Sequence, residues 1–440
     1  MKKRIGVYIG ITIGIALLLM LILEAGVRIV VDLPVKTDFY SSISKEKIPS
    51  LQKKIGVKVC SGGSWIHLGW IADPAAGRYS VYRVEAGGET RVGQVKYGSF
   101  LIEHLGPHQA YTFRVKSETG DFDHTVKAST GEPESPLLVP YIASPWKPLF
   151  KPEKTGSYLN DHGIYKGRDG TWHVVGITSF GDGDYSKEIY FAHGNGPSFP
   201  PHDGMFRELE RAADFGHLAW APHVLRTGER YLMWFSPHRC YVASSDDGYL
   251  WREERRLEFL PMHPQFRDPM VIQVADGQWL MYATARDGYY SSVDLYQSFD
   301  LEHWQYIGAA LETGFGCERA GAPGTTESPF VFCHGGRYYL SFTYNNDSFF
   351  WNALLLPVHV WLDRESYNDT MIFASANPYS FGTYRGKERP SSLVANIRAH
   401  APEYIESGGK WYVTTAGWPW VATITKGEVA YAELGWKKKK

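Results

Sequence analysis

The sequence feature that most constrains the fold is a pattern that occurs five times in the second part of the chain. Each copy has a polar start, usually followed by a proline, then an apolar strand, a glycine-containing turn, an aromatic residue and a second strand. The starts are separated by roughly 45 to 75 residues, enough for a four-stranded sheet in each copy. Five such sheets around one axis predict an all-β fold, a five-bladed β-propeller. The copies begin at Tyr158, His217, Phe266, Thr325 and Arg398.

Two turns between the copies support this fold, because they place serine, aspartate and tryptophan at a hairpin. The segment "VASSDDGYLWREE" matches the Asp-box spacing of propeller turns through Ser244, Asp246, Gly248 and Trp251. The segment "LYQSFDLEHWQYIG" contains the same kinds of residue. In such a turn the aspartate caps the backbone and the tryptophan packs beneath it. We therefore interpret both turns as structural.

The starts of the five copies also predict a functional site. The innermost strands of a propeller surround a channel, so residues at the same end of these strands converge on one funnel. Three of the five starts contribute a carboxylate, and acids crowded in a partly desolvated funnel shift one another's pKa, as acid–base catalysis requires. The predicted funnel residues are Asn160 and Asp161, Trp220 and Ala221, Arg267 and Asp268, Glu327 and Ser328, and His400 and Ala401.

One of the three acids is out of register with the other two. Asp161 and Asp268 lie one residue before the proline-aligned position, whereas Glu327 lies two residues before it. In a regular strand an offset of one residue reverses the face on which a side chain lies. Either the backbone at these strand starts is irregular, or Glu327 reaches the funnel from a different wall.

Residues 56–131 predict a separate, small β-domain. Short strands of alternating apolar and polar residues, separated by Gly, Pro and Asp turns, are typical of a β-sandwich. Trp70 and the segment "LGPHQAYTFRV", with Tyr111 at a corner position, resemble a fibronectin type III domain. This resemblance implies a spacer or adhesion module. The proline-containing stretch Pro133–Pro152 is the predicted boundary to the propeller, at residues 150–436.

The N-terminus predicts a transmembrane helix. The basic "MKKR" precedes "IGVYIGITIGIALLLMLIL", which carries no charge. This apolar segment is long enough to cross a bilayer, and its end is a poor cleavage site, which favours an uncleaved anchor over a signal peptide. Basic residues before the span keep the N-terminus in the cytoplasm, so the propeller is predicted to be extracytoplasmic. Residues 1–32 are assigned to this start and anchor, and residues 33–55 to a polar linker.

The charge, aromatic content and cysteines of the chain narrow the function. The 46 basic and 47 acidic residues give a net charge of -1 and predict no nucleic-acid partner. Aromatic residues make up 15% of the chain, which suits strands and also suits stacking on sugars. Outside the cell the cysteines would meet an oxidising space, but their spacing matches no metal motif and leaves their pairing open. They are Cys60, Cys240, Cys317 and Cys333.

The funnel motifs resemble those of the five-bladed glycoside hydrolases of families 43, 32 and 68. "LNDHG" resembles the Asn-Asp-Pro-Asn-Gly signature of family 32, which implies that Asp161 is the nucleophile or base. "FRDP" matches the Arg-Asp-Pro motif and implies that Asp268 stabilises the transition state or tunes the general acid. "ESP" resembles the Glu-Cys-Pro and Glu-Gly-Pro motifs and implies that Glu327 is the general acid. "WAPHV", which contains Trp220, is similar to the second blade of family 43.

Two features depart from these families. His162 and Gly163 replace the Pro-Asn of the first motif, so the role of Asp161 is the least defined of the three. The chain ends soon after the fifth copy, without the C-terminal β-sandwich typical of family 32. The mixture of motifs leaves the sugar open.

Together, these patterns predict a membrane-anchored extracytoplasmic glycosidase of the arabinofuranosidase, xylosidase or fructofuranosidase type. Its substrate is an oligo- or polysaccharide, and no organic cofactor is implied. A Ca²⁺ ion in the channel is compatible with the fold, although no ligand motif for it is present. The predicted sugar contacts are Asn160, Trp220, Arg267 and His400.

Each of these roles has a structural alternative. Asp161 could act as an Asx cap, Asp268 could form an ion pair with Arg267, Glu327 could be a solvated loop acid, and Trp220 could pack between blades. For the whole protein, the alternatives are a non-catalytic carbohydrate-binding or adhesion propeller and a structural envelope protein that binds no ligand.

Overall fold

The structure, a computed structural model, consists mainly of β-strands within the residues that it describes. It contains one α-helix there, α1 (Ile48–Ile55). The predicted anchor at residues 1–32 lies outside the described residues, and no helix within them is long and apolar enough to span a bilayer. The described residues are 39–181, 184–237, 239–259, 266–287, 290–314, 325–345, 367–384, 389–420 and 424–439.

The N-terminal strands form two packed sheets, in agreement with the predicted β-sandwich. The strands are β1 (Lys58–Ser61), β2 (Ile66–Gly69), β3 (Tyr79–Glu85), β4 (Gly88–Val95), β5 (Ser99–Ile102), β6 (Ala110–Ser117) and β7 (Asp123–Ser129). One sheet has the order β1-β2-β5 and the other β4-β3-β6-β7. Trp70 is fully buried between them against Tyr79 and Phe122, as expected for a core tryptophan. Kinship with fibronectin type III domains stays a prediction.

The segment predicted as a polar linker is folded where the structure describes it. A short 3-10 helix (Lys45–Lys47) leads into α1, whose Ile48 and Leu51 are buried. These side chains form a small apolar cluster with Ile71 of the sandwich domain and Phe299 of the propeller. The prediction of a tether was therefore wrong for residues 45–55, because apolar residues spaced along one helix face give this short segment a surface to pack.

The sandwich is also fastened to the propeller by buried hydrogen bonds. The side-chain amide of Gln297 donates to the carbonyls of Trp70 (2.8 Å) and Gly98 (2.7 Å). Gln305 exchanges two hydrogen bonds with the backbone of Ala72, at 2.9 and 2.8 Å. Buried amides of this kind are costly to leave unpaired, so they oppose separation of the two domains. The expected spacer is thus an integral part of the structure.

The second part of the chain begins with two strands and continues with two blades. The first two strands are β8 (Leu138–Ile142) and β9 (Lys147–Phe150). Blade 1 consists of β10 (His162–Lys166), β11 (Trp172–Thr178), β12 (Tyr190–Gly196), β13 (Arg207–Glu208) and β14 (Ala213–Asp214), the last two both pairing with β12. Blade 2 consists of β15 (Trp220–Thr227), β16 (Arg230–Ser236), β17 (Cys240–Ser245) and β18 (Arg252–Leu257).

Three further sheets complete the domain. Blade 3 consists of β19 (Arg267–Ala275), β20 (Gln278–Asp287), β21 (Tyr290–Ser298) and β22 (Trp304–Gly314). Blade 4 consists of β23 (Thr325–His334), β24 (Arg337–Asn345), β25 (Asp369–Ser375) and β27 (Leu393–Arg398), while β26 (Gly382–Tyr384) adds to blade 3 parallel to β22. Blade 5 consists of β28 (Tyr404–Ser407), β29 (Lys410–Thr415) and β30 (Val429–Lys438).

Blade 5 is completed by strands from the beginning of the domain. Both β8 and β9 pair antiparallel with β30, so that Ile142 lies opposite Leu434 and Phe150 opposite Val429. This pairing closes the ring of blades by hydrogen bonds and removes a free sheet edge. The predicted start of the propeller at residue 150 was therefore too late, because the proline-containing boundary stretch itself supplies two strands.

The apolar core of the propeller lies between neighbouring blades. Separate clusters of buried side chains join blades 1 and 2, 2 and 3, 3 and 4, 4 and 5, and 5 and 1. The cluster between blades 3 and 4 also takes in Cys60 and Trp65 of the sandwich. The circular series of clusters agrees with the five-bladed architecture predicted from the repeats.

The two Asp-box turns are present, but the first is shifted by one residue from its predicted position. Ser245 and Asp247, rather than Ser244 and Asp246, cap that turn: Asp247 accepts from the backbone of Tyr249 at 2.8 Å, and Ser245 accepts from Gly248 at 2.9 Å. Adjacent Ser-Ser and Asp-Asp pairs made either register compatible with the sequence. In the second turn, Asp300 accepts from the backbone of Glu302 and His303 in the same way.

Candidate active site

The innermost strands of blades 2 to 5 share an unusual backbone at their starts. In each, the residue before a proline has a left-handed φ, a conformation that costs a non-glycine residue about 1–3 kcal/mol. These residues are Ala221 (φ 48°), Asp268 (53°), Ser328 (48°) and Ala401 (45°). In blades 2 to 4 the pairing with the next strand is interrupted at the same place, between Trp220 and His223, Arg267 and Met270, and Glu327 and Phe330.

This irregular backbone resolves the offset between Glu327 and the two aspartates. At a bulge, two successive residues no longer alternate strictly between the faces of the sheet. Arg267 of blade 3 therefore contacts Glu327 of blade 4, and its neighbour Asp268 accepts a hydrogen bond from Ser328 of the same blade. The first of the two alternatives left by the sequence, an irregular strand start, is the one that the structure shows.

The left-handed strand starts also direct backbone N–H groups to the preceding blade. The N–H of Asp268 donates to Ser236 Oγ (3.1 Å), and the N–H of Ala401 donates to Thr343 Oγ1 (3.0 Å). At the equivalent position the N–H of Ser328 donates to the Asp268 carboxylate at 3.0 Å. One strand start thus uses a backbone donor to hold a candidate catalytic acid.

Ser328 connects two of the predicted acids. Its hydroxyl donates to Asp161 Oδ1 at 2.5 Å, while its backbone N–H holds Asp268. The other oxygen of Asp161 accepts from the Asn160 side-chain amide at 3.0 Å. In blade 1, His162 stands where the other blades have a proline, and Asp161 before it has no left-handed φ. Asp161 still reaches the same place as the acids of blades 3 and 4.

Arg267 joins the remaining acids. Its guanidinium lies 3.1 Å from Glu327 Oε1 and 3.6 Å from Asp268 Oδ2. The ion pair with Asp268, one of the structural alternatives, is therefore present, and Arg267 contacts the predicted general acid as well. Burial disfavours the guanidinium charge, yet the neighbouring Glu327, Asp268 and Asp161 carboxylates raise the pKa of Arg267.

The two aspartates are both shifted toward their protonated forms. Burial is the main cause for Asp161, and the charges of Asp268, Glu327 and Glu188 add to it, so its pKa lies well above its usual range despite the Ser328 hydrogen bond. Burial also raises the pKa of Asp268, but Arg267 and the Ser328 N–H oppose the shift. Asp268 is therefore the first of this coupled pair to ionise, since it has the cationic neighbour.

The other predicted sugar contacts are largely buried. Asn160 is inaccessible, and Trp220 is half-buried with its indole facing Glu188. The His400 ring stacks on Tyr367 at 3.7 Å between centroids, and its Nε2 is 3.9 Å from Asp161 Oδ1. Burial lowers the pKa of His400 to about 3, so its imidazole is neutral at pH 7.

Two buried acids near the channel were missed by the sequence interpretation. Glu188 accepts hydrogen bonds from Tyr158 and Trp418, and burial raises its pKa to about 7. Glu403 accepts from the backbone of Ile164 at 3.1 Å, and burial raises its pKa to about 8. Glu403 follows the proline of the fifth copy and could have been found from the repeat, whereas Glu188 lies outside the repeated starts.

The residues around the channel come from all five blades. His162 and His223 lie there with the acids, and burial lowers their pKa values to about 3 and about 4. His217, in the same segment as His223, contacts Glu253 at 2.7 Å instead. The lining residues are Asp161, His162, Ala221, Pro222, His223, Asp268, Pro269, Met270, Ser328, Pro329, Phe330, Ala401, Pro402 and Glu403.

The described residues give no support for a metal centre. Among them, no three or more His, Cys, Asp or Glu side chains are arranged to hold a metal ion, so the Ca²⁺ considered from the fold has no identifiable ligand set. Cys60, Cys240 and Cys333 are unpaired thiols in the structure, and Cys317 lies outside the described residues.

The fold and this site define a class of protein: a propeller whose strand starts bring three carboxylates and an arginine together. The family model "Glycosyl hydrolases family 32 N-terminal domain" matches residues 219–329, which include Asp268 and Glu327 but not Asp161. A search of curated protein sequences gives no match. The matched model describes a domain of a glycoside hydrolase family.

Three solved structures illustrate the similarity. A family 32 β-fructofuranosidase of Bombyx mori, solved with sucrose, is 16% identical over 66% of this chain and 62% of its own, with a TM-score of 0.46. A GH43_1 enzyme of Xanthomonas citri is 15% identical over 66% and 91%, with a TM-score of 0.43. A Penicillium chrysogenum α-L-arabinanase, solved with arabinobiose, is 12% identical over 67% and 98%, with a TM-score of 0.42. The present chain thus spans 62% of the length of the Bombyx enzyme.

Proposed function

We propose that the protein is a glycoside hydrolase that cleaves furanosides or xylosides in oligo- or polysaccharides. The observation that carries this proposal is the meeting of Asp161, Asp268 and Glu327 at one mouth of the channel, joined by Ser328 and Arg267. Hydrolysis of a glycosidic bond needs one carboxyl group that delivers a proton and another that attacks the sugar or activates water. Three linked acids supply both roles and a further negative charge.

Glu327 is the proposed general acid. It protonates the leaving oxygen, and to do so it must hold a proton when the sugar is bound. The Arg267 guanidinium lies 3.1 Å from Glu327, and in this proposal it turns to another partner when substrate binds. Arg267 can turn toward Asp268, which it already approaches, or toward a pair of sugar hydroxyls, which suits its forked geometry.

Asp161 is the proposed nucleophile or base, and Asp268 the proposed stabiliser of positive charge on the ring. Two side-chain donors, from Ser328 and Asn160, orient the Asp161 carboxylate for attack or for activation of water. Asp268 sits beside it with its charge retained by Arg267 and the Ser328 N–H. A fixed carboxylate at that position favours the cationic transition state over the neutral ground state.

A screen of substrates tests this function. The soluble chain without residues 1–32 is incubated with aryl furanosides, fructans, and xylo- and arabino-oligosaccharides, and a Glu327→Gln variant serves as the matched control. Turnover by the wild type alone supports the hydrolase. Saturable binding without turnover supports the non-catalytic sugar-binding alternative and refutes the enzyme. With an active substrate, the anomer released first, followed by NMR, distinguishes retention from inversion.

We also propose that the enzyme is held at a membrane by residues 5–23, with the propeller outside the cytoplasm and the sandwich as a fibronectin type III-like domain. The uncharged apolar segment after a basic start supports this arrangement. Protease added to intact cells or spheroplasts is expected to digest the propeller. Protection that persists until the membrane is broken would contradict the orientation.

A further inference from the structure

Glu188, just before β12, is a buried acid whose environment is unusual. The side chain is fully buried, and its Oε1 accepts hydrogen bonds from Tyr158 Oη at 2.6 Å and from Trp418 Nε1 at 2.9 Å. Its Oε2 is also buried and faces the Trp220 indole without a hydrogen bond of ordinary geometry. Burying a carboxyl oxygen whose hydrogen bonding is incomplete costs stability, so a role beyond packing is the more economical explanation for an acid here.

Trp418 belongs to a series of stacked rings that ends beside Asp161. We call His400, Tyr367, Trp418 and Trp420 the aromatic column. Successive ring centroids are 3.7, 5.6 and 6.3 Å apart, with interplanar angles of 21°, 19° and 16°. At the inner end, His400 Nε2 lies 3.9 Å from Asp161 Oδ1. At the outer end, Trp418 and Trp420 are half-buried.

The column gives Glu188 a mechanical connection to the site. Its hydrogen bond fixes the orientation of the Trp418 indole, and the indole stacks on Tyr367, which in turn stacks on His400. Tyr158, the other donor to Glu188, packs edge-on against Trp420 at 5.0 Å. A single buried carboxyl therefore holds both indoles of the column, one directly and one through Tyr158.

The charge of Glu188 also reaches the site. Burial raises its pKa to about 7 against the Tyr158 and Trp418 hydrogen bonds, and when ionised it contributes to raising the pKa of Asp161. The groups that face it are Tyr158 before β10, Trp220 at the start of β15, Trp418 after β29, and Asp161. The acid therefore affects Asp161 by two routes, contact and charge.

We propose that Glu188 is a positioning residue, which holds the aromatic column against Asp161 and thereby sets the wall on which a sugar ring stacks. This inference rests on the proposed glycosidase function. Glu188 acts through Trp418 and Tyr158 and is not itself a catalytic residue, because its side chain is enclosed by protein. The half-buried indoles of Trp418 and Trp420 offer apolar surface suited to the C–H face of a sugar ring.

Two substitutions separate the hydrogen bonds of Glu188 from its charge. Glu188→Gln keeps a carbonyl oxygen that accepts from Tyr158 and Trp418, so KM is expected to stay within about twofold of the wild type. Glu188 is ionised above its pKa of about 7, so the same variant removes a negative charge beside Asp161 there and is expected to change kcat/KM above pH 7 while leaving the profile at lower pH unchanged. Glu188→Ala removes the acceptor and is expected to raise KM about tenfold. A merely structural residue would lower Tm in both variants without this division.

Trp418→Phe tests the connection itself, and it serves where Glu188→Ala fails to fold. It keeps a ring in the stack and removes the N–H donor, so it should reproduce the rise in KM. In the double variant the two effects should not add, because both remove the same hydrogen bond. Additive effects, or a folded Glu188→Ala with wild-type KM and kcat, would overturn the proposal.

A structural readout keeps this test separate from the proposed function. If the wild type cleaves none of the glycosides, the proposed function fails, and crystal structures of wild type and Glu188→Gln or Glu188→Ala then decide the inference. The positioning role is supported if the Trp418 ring is displaced from Tyr367 in the alanine variant but not in the glutamine variant. An unchanged column in the alanine variant contradicts it.

Discussion

The channel of the propeller contains acids at its mouth and along its wall, and their surroundings differ although their burial does not. Asp268 at the mouth is 8% exposed and Glu403 in the wall is 7% exposed. Burial raises the pKa of both. Arg267 and the Ser328 N–H oppose the rise in the pKa of Asp268. The N–H of Ile164 opposes the rise in the pKa of Glu403. Burial alone therefore does not distinguish the proposed catalytic acid from the acid in the wall.

What distinguishes the mouth is that its charges act on one another. Asp161, Asp268, Glu327 and Arg267 each lie within reach of another member of the set, so a proton gained by one alters the others. For Glu403, by contrast, burial raises the pKa and the N–H of Ile164 opposes the rise. We therefore expect substitutions of the acids at the mouth to lower catalysis strongly, and substitution of the acid in the wall to change stability.

The largest expected effect is that of Asp161→Asn. The amide cannot attack the sugar or activate water, so kcat should fall by about 10⁴-fold. The loss should be the same for good and poor leaving groups, because departure of the leaving group is not what the change impairs. Steady-state kinetics on dinitrophenyl and alkyl glycosides measure this. A loss that shrinks with the better leaving group would assign Asp161 a proton-donating role instead.

Glu327→Gln is expected to lower turnover by about 10²–10³-fold on substrates with poor leaving groups, because the amide has no proton to deliver. On dinitrophenyl glycosides, whose leaving group needs no proton, most of the activity should return. Circular dichroism provides the control for folding. Near-normal turnover of both this variant and Asp161→Asn, while folded, would show that the carboxylates are not the catalytic set.

Ser328→Ala should have a smaller effect, a loss of about tenfold, which is what removal of a hydrogen bond to a charged group typically costs. The backbone N–H to Asp268 is kept, while the donor that lowers the pKa of Asp161 is removed. The pKa of Asp161 therefore rises, and the acidic limb of the pH–activity profile should move to higher pH. If the acidic limb stays in place, the Ser328 hydroxyl does not influence the ionisation of Asp161.

Glu403→Gln is expected to leave kcat and KM within about twofold and to change stability instead. The pKa of Glu403 rises from 4.5 to about 8 in the folded protein. The folded state thus holds a proton that the unfolded chain releases, and the free energy of unfolding falls as pH rises through this window. The glutamine variant lacks this loss, so its Tm should exceed that of the wild type at pH 8 and match it at pH 4.

A large loss of activity in Glu403→Gln, with Tm unchanged at both pH values, would break the comparison between mouth and wall. It would place the channel acid in the catalytic set. An unchanged activity with a pH-dependent gain in Tm would sharpen the comparison.

The repeated pattern was sufficient to predict five sheets and to bring Asp161, Asp268 and Glu327 to one place. Alternation of apolar residues, glycine turns and proline starts are local features, and each repeats in the sequence with the same order. Because the ends of the inner strands of a ring coincide in space, equivalence in sequence becomes proximity in the fold.

The shifted Asp box shows where a local pattern reaches its limit. Ser244 and Ser245, like Asp246 and Asp247, are chemically equal candidates, and only the backbone of the turn selects one of each. Residues 45–55 are a second example of this limit. Their short amphipathic helix has a surface to pack against only because the fold brings Ile71 and Phe299 beside it.

The sequence by itself determined the β-fold, the repeats and the three acids, because these depend on residue order along single strands. The tertiary structure decided the left-handed strand starts, the closure of blade 5 by β8 and β9, and the roles of Ser328 and Glu188. Ser328 and Asp161 are 167 residues apart, and Glu188 and Trp418 are 230 apart. No local pattern relates such residues; the packing of blades brings them together, and with that proximity come the hydrogen bonds and charges that define the site.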